Sequence, residues 1–514
     1  MKNINEMTTA LNSKKLLIPF FITVTAVSVG TITSIVPDSI KWIMGTLTLA
    51  VIILFALRSP FYAFLIFVLT LPLEATLVIE LGFTVRPSYI ALLFTYFVLV
   101  ISRKNIGSFK SPLNTPILLY MSVALLSLAM TFVYAPPQVA LIEPMKYRGT
   151  SFRSIIQLIV LIFYVSGYFL TIYFCSDKKR ILTVLKVYIG MAFFLSIYGI
   201  YQVLAVYYNL PFQSITNALS TSGEGYGGPF KGIEDLNIFR SYATFQEPLN
   251  FGHYLLSSVP LLIVVYLFRK KADMFKGKFV SRYIGFIAIL AGITALCFTR
   301  SRGALIGLVG SVLLIMMLMG KLRDRIKLIA VLTGISILIL IAFETIFGQV
   351  DVNTFRLDKG SLASDPRWSY VLSTIEFCLE RPITWILGTG IGNYGLHSAA
   401  VFRVETLGSA NSLPLQILVE TGGLGFVAFL FLMIRYYSYM FHALKNSGGT
   451  TWYPYVLGYI ASFTGMMIQH LIFADRLPLY LWVFVGISIA TARIIEMEES
   501  FRKSLYFEAR SRVR

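Results

Sequence analysis

Residues 283–319 read YIGFIAILAGITALCFTRSRGALIGLVGSVLLIMMLM, and this stretch decides the fold class. Two apolar runs, residues 283–299 and 303–319, flank a short turn that carries Arg300 and Arg302. Each run comes close to the roughly 20 residues that an α-helix needs to cross about 30 Å of hydrocarbon. The stretch therefore predicts a transmembrane hairpin with two arginines at its turn.

The rest of the chain repeats this pattern. Hydrophobic residues make up 56% of the 514 residues, charged residues make up 13%, and the mean hydropathy is +0.74. This composition excludes an ordinary soluble domain. The sequence predicts an all-α polytopic membrane protein with about 12–14 transmembrane helices. Fourteen apolar stretches lie near residues 16–36, 40–57, 60–80, 87–102, 115–135, 154–175, 181–207, 248–268, 283–299, 303–319, 327–347, 413–434, 452–473 and 477–495.

The charge distribution predicts the topology. The net charge is +19, with 44 Lys and Arg residues concentrated in every second loop and in the C-terminal tail. Short loops rich in Lys and Arg stay in the cytoplasm, so both termini are expected there. Nucleic-acid binding is a poor explanation of the charge, because the chain has no basic and aromatic domain outside the apolar stretches.

Two polar breaks interrupt the apolar pattern, and both are expected on the side opposite the termini. They are residues 208–246 and 348–412. The predicted organisation is transmembrane helices over 1–207, a first external loop over 208–246, transmembrane helices over 247–347, a large external loop over 348–412, transmembrane helices over 413–495 and a basic cytoplasmic tail over 496–514.

Polar residues next to the external loops form the candidate site. Long basic side chains near helix ends often reach the membrane interface without a specific function. That explanation weakens for Arg300 and Arg302, because two cations in one short outer turn oppose the positive-inside bias. A diphosphate would explain them, since guanidinium donors match phosphate oxygens. The external face is expected to carry Arg240, Glu247, Asn250, His253, Arg300, Arg302, Arg367, Arg381, His397, Arg403, Glu405 and His470.

The second break has predicted structure of its own. Asp365 and Pro366 are typical of a helix start, and the following residues predict a short amphipathic helix that ends at Arg381 and Pro382. Such a helix would lie along the membrane surface. The glycine-rich run GTGIGN, residues 388–393, predicts a tight turn. Its N–H groups could approach a ligand, although a plain structural turn is the more common role.

Four motifs in order resemble the superfamily of O-antigen ligases and Wzy-type polysaccharide polymerases. The motifs are RSYATFQEPLNFG at 240–252, TRSRGA at 299–304, DPRW at 365–368 with ERPITWILGTGIGNY at 380–394, and ANSLPLQILVETGGLG at 410–425. The resemblance covers roughly residues 180–495. Arg381 and Gly392 are also similar to the Arg-x10-Gly pattern of polymerase outer loops.

The resemblance implies glycosyl transfer at the outer face of the bacterial cytoplasmic membrane. The implied donor is a glycan on undecaprenyl diphosphate, and the implied surroundings are the lipid bilayer, a chain-length regulator and a flippase. Arginines can stabilise the charge on the leaving diphosphate, so neither a metal nor a cofactor is expected. The expected diphosphate or glycan contacts are Arg240, Arg302, Arg367 and Arg381, followed by Arg300 and Arg403, and Asn411 is a further expected substrate contact.

One departure favours a polymerase over a ligase. Ligases of this superfamily carry a His, then Asn, Ser or Gln, then nine residues and a Gly, and here Asn411 stands at the His position before Ser412 and Gly422. An amide cannot act as a general base. Glu247 and Glu405 are the favoured replacements and His397 is a third, although Glu247 could instead cap the helix that begins at Pro248.

The predicted function is polymerisation of undecaprenyl-diphosphate-linked repeat units for O-antigen, capsule or exopolysaccharide. The alternatives are a ligase that passes the glycan to lipid A core and a lipid-linked oligosaccharide flippase. A flippase predicts charges along a central cavity and a repeat of the first half of the chain in the second half. A structural partner in an export complex, without chemistry, is a weaker alternative.

Overall fold

The structure is a computed structural model that describes residues 58–75, 79–80, 84–102, 110–133, 150–210, 239–275, 279–347, 367–382, 384–396, 409–474 and 477–512. Helices dominate these ranges. Two-residue strands β1 (Ile79–Glu80) and β2 (Thr84–Val85) form an antiparallel hairpin in which Ile79 pairs with Val85. The helices are α1 (Pro60–Thr70), α2 (Pro87–Ile101), α3 (Asn114–Ser127), α4 (Met130–Val133), α5 (Thr150–Phe174), α6 (Lys178–Tyr208), α7 (Pro248–Leu267), α8 (Phe279–Phe298), α9 (Arg302–Leu318), α10 (Leu322–Phe347), α11 (Arg367–Glu380), α12 (Thr384–Leu387), α13 (Leu413–Asn446), α14 (Tyr453–His470) and α15 (Leu479–Arg512).

The predicted class of an all-α polytopic membrane protein is confirmed. Among the described residues, six helices are long and apolar enough to cross a membrane, and four further apolar helices are shorter. The six are Asn114–Val133, Phe152–Phe174, Lys178–Tyr208, Pro248–Leu267, Leu413–Asn446 and Leu479–Ser504. The first two predicted spans, 16–36 and 40–57, lie outside the described residues. The third is shorter than predicted, because α1 ends at Thr70 before Pro72 and Glu74.

Helices α7 and α15 form the centre of the bundle. Their apolar segments are 94% and 89% buried by the described residues, against 44–56% for the other four long helices. Small residues let two other helices, α9 and α14, approach closely. A Cβ on Gly307 of α9 would meet the carbonyl oxygen of Gly465 in α14. Ser311 also donates its hydroxyl to the carbonyl of Ala461 at 2.9 Å, which joins the same two helices.

The connections between helices gather at two ends of the bundle. At one end, called the loop end, Ala75 N donates to Thr244 O at 2.9 Å, and Arg153 Nε donates to Gly392 O at 2.6 Å. At the other, called the basic end, Lys178 and Asp273 form a 2.7 Å ion pair. The segments predicted to be external thus meet one another, and so do those predicted to be cytoplasmic.

Candidate functional site

Two motifs far apart in sequence meet at the loop end. The segment that precedes α7 lies against the turn between α8 and α9. Ser241 N donates to Phe298 O at 2.9 Å, and Arg240 Nε donates to Thr299 O at 3.0 Å. Residues 239–253, 298–304 and 469–473 are called the arginine-turn region below. The structure therefore brings Arg240 next to the turn that carries Arg300 and Arg302.

Gln202 of α6 holds the segment before α7 in place, and sequence reasoning did not identify it. Its side-chain oxygen accepts hydrogen bonds from the backbone N–H groups of Tyr242 and Ala243, at 3.2 and 3.1 Å. These bonds stabilise Ala243 in the left-handed region, at φ +47°. Glycine at position 199 leaves room for this segment, because a Cβ there would contact the Ser241 hydroxyl. A polar residue inside an apolar span was the only signal in the sequence.

Arg300 is a buried cation in a strained turn. Its backbone adopts φ +49°, which few residues other than glycine adopt, and the residue is only 8% exposed. Burial lowers the pKa of its guanidinium, and a hydrogen bond with Tyr207 opposes that shift. In the described part of the chain, its Nη1 atom has no hydrogen-bond partner. A buried guanidinium nitrogen without a partner is suited to bind an anion.

The next helix starts at this turn. Ser301 caps α9 by accepting a hydrogen bond from Ala304 N at 3.3 Å, and Arg302 is the first helical residue, half-buried. A helix N-terminus carries partial positive charge, so a cation there is unfavourable unless an anion joins it. Arg302 and the helix start therefore add positive charge to the turn that carries Arg300.

Buried polar atoms without partners gather beside this turn. Most buried polar groups in proteins are hydrogen-bonded, so such a cluster needs an explanation. The imidazoles of His253 and His470 lie 4.3 Å apart between centroids; His253 shares a 2.7 Å hydrogen bond with Tyr480, and His470 Nδ1 donates to Phe473 O at 3.3 Å. Among the described residues, the atoms without partners here are Asn250 Oδ1, His253 Nε2, Tyr254 Oη, Gln469 Oε1 and His470 Nε2.

Glu247 does not cap the helix that follows it. It occupies the N-cap position of α7, but its side chain makes no capping hydrogen bond. The alternative that Glu247 serves as a helix cap is therefore wrong. The residue is half-buried, and its role as a base remains a prediction.

The second break contains the predicted surface helix. It forms α11 and ends at Glu380, with Leu372, Ile375 and Leu379 on an exposed apolar face. The guanidinium of Arg381 stacks on the ring of Phe377, 4.5 Å from its centroid. Four predicted contacts are not placed: the side chain of Arg367 and the whole of His397, Arg403 and Glu405 lie outside the described residues.

The glycine-rich turn packs on helix α13 instead of presenting its N–H groups. Thr389 N donates to Val419 O at 2.9 Å, and Gly390 N donates to Glu420 O at 3.0 Å. These carbonyls are accessible because α13 is kinked at Gly422, at φ +70° and ψ −173°. The structure thus favours the structural role for this turn over ligand binding by these two N–H groups. Residues 381–396 and 409–422 are called the glycine-turn region below.

Asn411 stands just before α13. Its backbone is left-handed, at φ +50°, a conformation that asparagine tolerates. Its side-chain oxygen accepts a hydrogen bond from the Ser409 hydroxyl at 3.3 Å. Its neighbour Ala410 is linked to two residues of α13. Ala410 N donates to Gln416 Oε1 at 2.8 Å, and Gln416 Nε2 donates to Glu420 Oε1 at 2.6 Å.

A buried carboxylate at the loop end was not among the predicted site residues. Glu74 is 3% exposed and pairs with Arg86 at 3.4 Å. Burial raises the pKa of the Glu74 carboxyl, and the Arg86 guanidinium opposes the shift. An acidic residue within an otherwise apolar stretch was the available signal.

This ion pair links the two regions. Arg86 lies over the ring of Tyr89, whose hydroxyl shares a 2.8 Å hydrogen bond with that of Tyr164. Tyr164 lines a cavity of about 40 Å³ together with Gln416 and Glu420. On its other side, the pair adjoins the arginine-turn region through the Ala75–Thr244 hydrogen bond.

Comparison with known families agrees with the resemblance predicted from the motifs. The family model Wzy_C, described as O-Antigen ligase, matches residues 255–430, which include the arginine turn, the glycine-rich turn and the kink at Gly422. No curated protein matches the chain. The resemblance to the O-antigen ligase and Wzy superfamily is confirmed, and with it a membrane enzyme of the O-antigen ligase or polymerase type in general.

Proposed function

We propose that this protein polymerises lipid-linked oligosaccharide repeat units at the loop end of the bundle, and that this end faces outward from the bacterial cytoplasmic membrane. The observation that carries the proposal is the environment of Arg300. This guanidinium is buried, one of its nitrogens has no partner within the described residues, and Arg240 contacts the adjacent Thr299. A polyprenyl diphosphate supplies the anion that this environment favours.

The chemistry needs a stabilised leaving group. A sugar hydroxyl of one lipid-linked unit attacks the anomeric carbon of another, and the bond from that carbon to the diphosphate oxygen breaks. The leaving diphosphate takes the bonding electrons, and the arginines stabilise its charge in a low-dielectric site. The hydroxyl proton passes to a base. Glu247, which is half-buried at the start of α7 and makes no capping hydrogen bond, is the favoured acceptor.

The residue at position 411 supports a polymerase over a ligase. An asparagine amide there cannot take up a proton, so a mechanism that depends on a histidine at this position is not open to this chain. The close packing of α7 and α15 in the bundle centre favours a fixed site over the central path of a flippase.

The direct test uses the purified full chain in detergent or vesicles with a lipid-linked repeat unit as the only substrate. The wild type should produce a ladder of longer lipid-linked glycans without added metal and in the presence of EDTA. Arg240→Ala, Arg302→Ala and Arg381→Ala should lose most of this product. Arg325→Ala is the matched control, because Arg325 also donates its Nε to a backbone carbonyl, Met319 O at 2.9 Å, but at the basic end.

Three outcomes contradict the proposal. The first is a folded wild-type protein that gives no ladder. The second is a set of loop-end arginine variants that match the wild type. The third is a control variant that loses as much activity as they do. Transfer of a single preformed glycan to a lipid A core acceptor, without a ladder, would instead assign the chain as a ligase.

A further inference from the structure

Glu420 is a carboxylate inside a membrane-spanning helix. It lies in the part of α13 nearest the loop end and is only 3% exposed. A charged side chain at such a depth is costly and is usually retained for a specific role. The hydrogen bonds of the Glu420 side chain and of its backbone carbonyl indicate this role.

The side chain of Glu420 orients the residue before Asn411. Glu420 Oε1 accepts a hydrogen bond from Gln416 Nε2 at 2.6 Å, and Gln416 Oε1 accepts from Ala410 N at 2.8 Å. An amide side chain can rotate to exchange its oxygen and nitrogen, whereas a carboxylate only accepts hydrogen bonds. Glu420 therefore fixes the orientation in which the Gln416 oxygen meets Ala410 N.

The backbone of Glu420 holds the glycine-rich turn. Its carbonyl accepts a hydrogen bond from Gly390 N at 3.0 Å. Gly388 packs so closely on the same peptide that a Cβ at position 388 would overlap the Glu420 carbonyl carbon. From Gly388, hydrogen bonds run back along the chain, because Gly388 N donates to Thr384 O and Thr384 N donates to Arg381 O.

We propose that Glu420 is a positioning residue that holds two parts of the second polar break, the backbone at Ala410 just before Asn411 and the segment from Arg381 to Gly390, in one fixed arrangement. It acts through Gln416 on the first and through its own carbonyl on the second. This inference rests on the proposed function for its catalytic consequence, whereas the structural link itself does not depend on the reaction.

The first experiment measures the link without any substrate. Hydrogen–deuterium exchange is followed in the purified full chain for the amides of residues 388–390 and 410–412. Gln416→Met removes both side-chain hydrogen bonds at nearly constant volume, and it should speed exchange at Ala410. Glu420→Leu should do the same, whereas Glu420→Gln, which retains an acceptor for Gln416, should exchange like the wild type.

The second experiment measures turnover of a lipid-linked repeat unit. Misplacement of a site by about 1 Å can cost on the order of a hundredfold in rate, so Glu420→Leu and Gln416→Met should each lose at least about tenfold in kcat. Their double variant should lose no more than the worse single variant, because both act in one relay. Glu420→Gln should stay within about threefold of the wild type. Gln157→Met, which alters another polar residue lining the same cavity, is the control and should retain activity.

Each result supports or overturns the inference. Loss of activity in Glu420→Gln with unchanged exchange means that the carboxylate charge takes part in the chemistry, and the positioning role is wrong. Wild-type exchange at Ala410 in both Gln416→Met and Glu420→Leu also overturns it. If Glu420→Leu does not fold, Gln416→Met and Glu420→Gln decide the question. If the wild type has no turnover, the proposed function fails, while the exchange result still decides the structural link.

Discussion

The arginine-turn and glycine-turn regions both contain left-handed backbone, but they build it from different residues. In the glycine-turn region, four glycines occupy positive φ at no steric cost, and the one other described residue there with positive φ is Asn411, a type that tolerates it. In the arginine-turn region, the residues at positive φ are Ala243 and Arg300. A side chain in that conformation costs roughly 1–2 kcal/mol per residue. The glycine-turn region is therefore relaxed at these positions, and the arginine-turn region is strained.

The two regions also differ in how their polar groups are paired. In the glycine-turn region, the N–H groups of Thr389 and Gly390 bind carbonyls of α13, and Asn393 Oδ1 is the buried side-chain atom without a partner among the described residues. In the arginine-turn region, buried atoms of Arg300, His253 and His470 have no partner among the described residues. Strain and unpaired polar groups persist where a function maintains them. The comparison supports the proposal that the arginine-turn region receives a ligand and that the glycine-turn region supports it.

The largest expected effect comes from Arg300. Arg300→Ala should reduce polymer formation by about 10²–10³-fold, the usual loss when one donor to a developing negative charge is removed. Thermal unfolding should change little, because the substitution removes a buried charge. Ladder formation and the unfolding midpoint are measured on the same preparation, with Arg325→Ala as control. An active Arg300→Ala variant would mean that this region does not bind the leaving group.

The second prediction concerns substitution of a closely packed glycine in the glycine-turn region. Gly388→Ala should destabilise the protein by at least about 2 kcal/mol, because alanine is unfavourable at φ +71° and its Cβ would overlap Glu420. The measurement is the midpoint of thermal unfolding in detergent. Gly190→Ala is the control, since a Cβ there meets nothing within 4 Å. Equal midpoints for Gly388→Ala and Gly190→Ala would contradict the tight packing of the turn on α13.

The ion pair between the two regions should make stability depend on pH. Arg86→Met removes the cation that opposes the raised pKa of Glu74, so the folded state retains a proton that the unfolded chain has released. The raised pKa of Glu74 then stabilises the folded state fully below the unfolded pKa of about 4.3. This contribution to the free energy of unfolding is lost as pH rises through the folded pKa, by at most about 1.4 kcal/mol per pH unit.

The check is the difference in unfolding midpoint between wild type and Arg86→Met from pH 5 to pH 8. The difference should grow as pH rises, and the double variant Arg86→Met with Glu74→Gln should remove this dependence. A difference that is constant across the range would show that Glu74 does not titrate with folding.

The smallest effect tests the strain directly. Ala243→Gly should raise stability by about 1 kcal/mol or less, because glycine adopts φ +47° without the alanine penalty. The unfolding midpoint should therefore rise slightly, opposite to the effect of Gly388→Ala. A lower midpoint for Ala243→Gly would mean that the backbone at this position is not strained, and the contrast between the regions would weaken.

Individual residues show how far the sequence predicts the site. Arg240, Arg300 and Arg302 were grouped from topology alone, and the structure places Arg240 against the turn that carries the other two. Gln202, Glu74 and Glu420 were not identified, because their importance depends on partners 12 to 41 positions away in the chain. Topology specifies which residues share an end of the bundle, but not which of them touch.

The sequence by itself determined the membrane class, the approximate bounds of most helices and the grouping of polar segments at one end. These follow from local properties, because the length of an apolar run and the charge of the loop beside it suffice to predict a span. Only the tertiary structure decided that Glu247 is not a helix cap, that the glycine-rich turn packs on α13, and that Glu420 supports both parts of the second break. These depend on long-range packing, since a buried polar group takes its role from the partners that the fold brings to it.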